Sequence, residues 1–206
     1  MEWNKINISI AVLIIFHMVG IGGVLLANPI EFLRLTPLNL LLTLAIVLVN
    51  HQQWKFAWVF IVTYVAGFFV EVLGVNTGFP FGEYEYGSVL GPKLFETPLM
   101  IGVNWLILLY ASNAISKHFG LTVITKALGA AALMVVLDYA IEPVAIKYDF
   151  WTWAQAEPPF ENYMAWFVIA FLLSLVWQWT KIELNKKIAI AVYSVELGFF
   201  ALLNLF

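Results

Sequence analysis

The sequence predicts an all-α fold: a polytopic membrane helical bundle of about seven transmembrane helices, forming a single integral membrane domain over residues 1–206. Two long ordered loops are expected on its non-cytoplasmic face. Three observations lead there. The 206 residues are 63% hydrophobic and only 11% charged, less than half the charge of an average soluble domain. Apolar runs approach the roughly 20 residues that a membrane crossing needs, and they recur along the chain. Aromatic residues make up 17% of the sequence, and its Trp and Tyr crowd into two of the connecting segments.

The first run, Ile6–Ala27, lacks a small-residue cleavage site and is too long for a signal-peptide core, so it reads as a retained helix. Next comes "LNLLLTLAIVLVN", Leu38–Asn50, preceded by Pro37. It is short for a span, but counted from Phe32 it crosses if Arg34 snorkels to the interface. Five further spans follow: Trp54–Val75, Pro98–Ser116, Leu121–Ile141, Tyr163–Thr180 and Ile188–Phe206. Lys and Arg in short loops set the orientation. An N-terminus in the cytoplasm puts Lys5, Lys55, Lys117, Lys181, Lys186 and Lys187 on that side, with Lys126 near it, against Arg34, Lys93 and Lys147 opposite. The expected location is therefore a cell membrane, taken as a bacterial inner membrane, with the N-terminus cytoplasmic.

The two unusual connections, Glu71–Pro98 and Ile141–Tyr163, are rich in Gly, Pro, aromatics and acids. Connections this long are functional or disordered, and their aromatic content argues against disorder. Ordered, re-entrant or lid-like structure over one membrane face is expected.

Composition removes several chemistries. The net charge of −3 offers no basic stripe for nucleic acid. With no cysteine there is no thiol catalysis or Fe–S cluster. His17, His51 and His118 are dispersed without ligand spacing, so no metal site is expected. Phosphate-binding glycine loops and nucleophile-elbow serines are absent. The aspartate-rich motifs of membrane prenyltransferases are absent as well. Retinal would need a lysine midway along the last helix, and only Lys186 and Lys187 at its start are basic.

The acids are the positive signal. Asp138 and Glu142 in "MVVLDYAIEPVA" are four residues apart, so they share one helix face. Each costs roughly 2.5–3.5 kcal/mol at bilayer depth. Pro143 is expected to end or kink the helix, leaving Glu142 at a C-terminus where the macrodipole opposes an anion. Burial and mutual repulsion then predict that one of the two keeps its proton. A headgroup-level Glu142 and a helix-bonded Asp138 are the purely structural alternative. Glu71, in "FFVEVLGVNTG", belongs to the same membrane end, and Asn76 and Thr77 follow it as neutral hydrogen-bonders. In "FGEYEYG", extended backbone puts Glu83 and Glu85 on one face and Tyr84 and Tyr86 on the other. Asn104 and Trp105 interrupt the apolar run "PLMIGVNWLILLY", where an amide serves as helix–helix glue or as a site group. Glu196, midway along the last helix, has no partner assignable from sequence. A lipid-embedded set of carboxylic acids and aromatics suits acid-initiated chemistry on an apolar alkene. A carboxylic acid protonates the double bond, and ring faces stabilise the carbocation.

The ordered series "EVLGVNTGFPFGEYEY", "PLMIGVNW", "LDYAIEPVA…FWTW" and "PPFENYMAWF" resembles the membrane carotenoid biosynthesis family, which includes carotenoid 1,2-hydratases and bisanhydrobacterioruberin-type hydratases. The resemblance runs from about Gly67 to Phe167; the flanking helices share only its hydropathy. It implies cofactor-free addition of water to the terminal C1–C2 double bond of an acyclic, lycopene- or γ-carotene-like ψ-end. Other carotenoid-pathway enzymes are then expected partners. Read this way, Asp138 is the preferred proton donor and Glu142 or Glu71 the base that positions water. Asn76, Glu83, Tyr84, Tyr86, Asn104 and Trp105 are substrate-binding candidates, as are Tyr139, Trp151, Trp153, Asn162 and Tyr163. The family pattern leads one to expect a glycine near Asp149 in "KYDFWTW". Two alternatives stay open: lycopene-cyclase-like proton-initiated ring closure, and a non-catalytic carotenoid-binding subunit.

Overall fold

A computed structural model describes residues 4–118 and 122–206. The chain runs up and down through α1 (Lys5–Leu26), α2 (Pro29–Leu33), α3 (Thr36–Val49), α4 (Ala57–Thr77), α5 (Leu99–Ser116), α6 (Val123–Lys147), α7 (Phe160–Trp179) and α8 (Lys186–Leu203). Among the described residues, six helical segments are long and apolar enough to cross a membrane. They are Lys5–Leu26, Pro29–Val49, Trp54–Thr77, Leu99–Ser116, Val123–Lys147 and Phe160–Trp179. α8 carries Lys186, Lys187 and Glu196, yet packs against α1, α5 and α6 as a seventh member of the bundle. The expected start of the fifth span, Leu121, lies outside the described residues.

Local chemistry fixes the helix ends. Asn28 caps α2 through Glu31 N with Pro29 at its first position, and Asn185 caps α8 through Ile188 N. Thr122 and Thr125 form a reciprocal capping box at α6. Gly78, at φ +74°, ends α4 in the left-handed conformation and donates its N–H to the Gly74 carbonyl at 2.7 Å.

α5 is the axis of the bundle. It touches α3, α4, α6, α7 and α8, and most of its residues are buried on every side, as expected for a helix apolar all round. At one end Asn113, Ser174 and Gln178 tie α5 to α7 through amide–hydroxyl and amide–amide bonds of 2.8–2.9 Å. Lys5 bonds the Val49 carbonyl and Lys117 the Ile182 carbonyl at this same end, so the lysine-rich connections share it.

Both aromatic connections meet at the other end. They are shorter than the sequence suggested, because α4 continues through Glu71 to Thr77 and α6 through Glu142 to Lys147. β1 (Tyr84–Tyr86), from the first connection, pairs antiparallel with β4 (Trp151–Trp153), from the second. Within the first, β2 (Lys93–Leu94) pairs with β3 (Thr97–Pro98).

Of the end or kink expected at Pro143, the end does not occur, since α6 runs on to Lys147. A proline inside a helix removes one N–H and crowds the preceding turn's carbonyls. Here Asn204, just past α8, donates its Nδ2 to the Ala140 carbonyl at 2.8 Å, next to the Tyr139 carbonyl that Pro143 leaves without its helical N–H. Glu142 thus lies more than a turn before the end of α6, where the macrodipole acts weakly.

Candidate active site

The site is built around one face of α4. Gly67, Glu71 and Gly74 stand at i−4, i and i+3, so they line up. A Cβ on Gly67 would lie 2.5 Å from the Trp105 Cβ, and one on Gly74 would lie 2.5 Å from Phe81 and 2.7 Å from the Tyr84 hydroxyl. Both glycines therefore make room for the groups that reach Glu71. Trp105 donates its Nε1 to Glu71 Oε1 at 2.8 Å, while the Tyr84 and Tyr86 hydroxyls donate to Oε2 at 2.6 and 2.7 Å.

β1 supplies those phenols because residues two apart share a strand face. Glu85, between them, points outward, as its spacing predicts. Burial first, then the neighbouring Glu71 carboxylate, pushes both phenols well above their ordinary pKa, so they remain donors. β4 faces β1 in the register Tyr84↔Trp153 and Tyr86↔Trp151. Trp151 and Trp153 are likewise two apart, and both indole N–H groups donate to Glu142 Oε2 at 3.0 Å. Asp149, where the family pattern suggests glycine, adopts φ +59° at the turn into β4. Asp tolerates this left-handed conformation better than most residues.

Asn162, in the first turn of α7, joins the two acids of α6. Its Nδ2 lies 3.0 Å from Asp138 Oδ2 and 3.3 Å from Glu142 Oε1. Asp138, Glu142 and Glu71 are only 1, 2 and 3% exposed. All three border one cavity of about 20 Å³, walled further by Tyr84, Tyr86, Trp151, Trp153 and Asn162. One water needs roughly 10–15 Å³ and two to four polar partners, so this space suits a single water. Among the described residues no three carboxylates or imidazoles are grouped so as to hold a metal ion.

Other candidates lie elsewhere. Asn76 donates to the Val72 and Phe95 carbonyls and pins the first connection to α4. Glu83 lines an outer cleft between the two connections. Tyr139 and Tyr163, ring centroids 6.0 Å apart, line a groove of about 700 Å³ between α6, α7 and α8. Glu142 and Pro143 line that groove too. Asn104 faces a second interior cavity. Sequence reasoning did not single out Phe81, Ile101 and Trp166, which complete the wall. Trp166 stacks on Trp105 at 4.1 Å and 18°. Its position four residues after Asn162 puts both on one α7 face, a signal available in the sequence.

Similarity to known proteins gives the family. Residues 34–206 match the family described as carotenoid biosynthesis protein. A curated relative, the bisanhydrobacterioruberin hydratase of Haloarcula japonica, is 29% identical over 110 residues, covering 47% of this chain and 36% of the relative. The chain thus spans about a third of that relative's length in the matched region. No solved structure matches the chain.

Proposed function

Since the chain belongs to the carotenoid biosynthesis protein family, we propose that it is a carotenoid 1,2-hydratase acting on an acyclic ψ-end by acid-initiated carbocation chemistry. The observation that carries the reading is the water-sized cavity bordered by three buried carboxyl groups and walled by aromatic rings. The Haloarcula relative is named as a hydratase, which supports the same class of reaction.

Hydrogen-bond supply distinguishes the acids. Three donors aimed at Glu71, and three at Glu142, suit anions. Asp138 accepts one bond, on Oδ2, and keeps Oδ1 for a transferable proton. In the proposed reaction Asp138 gives that proton to C2 of the terminal double bond, and the positive charge develops on tertiary C1. Tyr and Trp faces around the cavity stabilise it. Water held by Glu142 or Glu71 adds its oxygen to C1 and gives a proton to that carboxylate, which then reprotonates Asp138. The net change is one water added per end, by acids and water alone.

The groove bearing Tyr139 and Tyr163 opens beside Glu142 and gives a polyene an approach from the lipid. The lysine-rich end would face the cytoplasm, putting the acid cluster near the opposite surface of a bacterial inner membrane.

The test is expression in a lycopene-producing host without other carotenoid-modifying enzymes, followed by product mass. Hydration adds one water per converted end. Ring closure, the alternative that starts with the same protonation, leaves the mass unchanged, and a non-catalytic binding subunit leaves lycopene itself unchanged. Asp138→Asn is expected to abolish the hydrated product while the protein still inserts. Retained hydration in that variant would remove Asp138 from the role.

A further inference from the structure

Behind Ile101, which walls the acid cluster, lies a second cavity of about 60 Å³ that the reaction does not use directly. Five polar residues from four helices line it: His17 of α1, Thr36 and Asn39 of α3, Asn104 of α5 and Glu196 of α8. The His17 Nδ1 is 2.9 Å from the Leu13 carbonyl, which fixes a proton on that nitrogen. Its Nε2 then meets Asn39 Nδ2 at 3.1 Å and Glu196 Oε1 at 3.4 Å. The Asn39 Oδ1 is buried without a partner among the described residues. Turning the amide over does not remedy this: one end always meets His17, and the other is left over.

A buried amide oxygen left without a donor is strongly disfavoured, so this site calls for a small hydrogen-bonding occupant. Its volume is several times the roughly 10–15 Å³ that one water needs, and Ile101, Ile141 and Phe150 are among its apolar walls. Ile141 and Phe150 adjoin Glu142 and Trp151 in sequence, so the same two elements line both cavities.

We propose that the His17–Asn39–Asn104–Glu196 cavity is an internal water site that resupplies the acid cluster past Ile101. The supply role rests on the hydratase reading. Each turnover consumes one water, the acid-cluster cavity suits only one, and the neighbouring store replaces it as a neutral molecule with no charge crossing the wall.

Radiolytic hydroxyl footprinting with mass spectrometry on the full chain in lipid nanodiscs tests this, because interior side chains become oxidised where water is bound beside them. Labelling is expected at Leu40, Phe150 and Phe199, well above that of lipid-facing Ile61 and Val65. In the double variant Asn39→Leu/Asn104→Leu it should disappear. Hydration by that variant should slow roughly tenfold, the change that losing about 1.4 kcal/mol of water binding produces, with KM for the carotenoid unchanged. Asn39→Ser/Asn104→Ser keeps the site polar and should retain both labelling and rate, which separates water binding from packing. Wall residues of the unaltered protein labelled no more than Ile61 overturn the water site. An unchanged rate in the Leu variant overturns the supply role. Footprinting needs no carotenoid, so a labelled wall without any hydrated product identifies the hydratase reading, and the supply role with it, as the part that failed.

Discussion

Asn162 offers the sharpest test of how the acid pair is held. It is the donor shared by Asp138 at 3.0 Å and Glu142 at 3.3 Å, in a region almost without solvent. Asn162→Leu keeps a similar volume and deletes both bonds. Glu142 retains the Trp151 and Trp153 donors, so the loss falls on Asp138, which keeps no other side-chain donor among the described residues. Leaving a buried acceptor unsatisfied costs about 1–3 kcal/mol, whereas replacing both partners by apolar groups of like shape is nearly neutral. Asp138→Leu alone should be the milder single change, because Asn162 still reaches Glu142. The double variant Asp138→Leu/Asn162→Leu should then be about 1–3 kcal/mol more stable than the sum of the singles implies. Unfolding in mixed detergent micelles, followed by circular dichroism, measures all four corners of this cycle. Additivity within about 0.5 kcal/mol would mean that the two side chains do not interact, and the reasoning about the site would fail.

Three further outcomes follow from close contacts. Gly67→Ala forces a methyl against the fixed Trp105 Cβ, so it should destabilise the protein by about 1–3 kcal/mol and reduce hydration, as read by unfolding and product yield. Asp149→Gly relieves a side chain held at φ +59° and should stabilise by roughly 1 kcal/mol in the same unfolding assay. Asn204→Ala removes the donor to the Ala140 carbonyl beside Pro143 and should cost about 1 kcal/mol, with faster amide exchange in the last turns of α6.

Hydropathy and period explain why much of this was legible in the sequence. The spans follow from apolar runs, the shared face of Asp138 and Glu142 from helical spacing, and the inward pair Tyr84 and Tyr86 from strand alternation. The features that eluded sequence reasoning depend on distant partners. The bond beside Pro143 comes from Asn204, just past another helix, and the pairing of β1 with β4 joins two three-residue strands too short to announce themselves. His17 and Glu196 are 179 residues apart, and no local pattern links them. Trp105 was visible as an aromatic in an apolar run, but its bond to Glu71 depends on the gap left by Gly67 on another helix.

The proposed hydratase reaction at the three-acid cavity has a direct isotopic signature. The most direct measurement is the mass of the product formed from lycopene by the full chain in water enriched in oxygen-18. Hydration at this site puts one heavy oxygen in every converted end, and Asp138→Asn loses that product. A product of unchanged mass, or one whose hydroxyl carries no heavy oxygen, would contradict it.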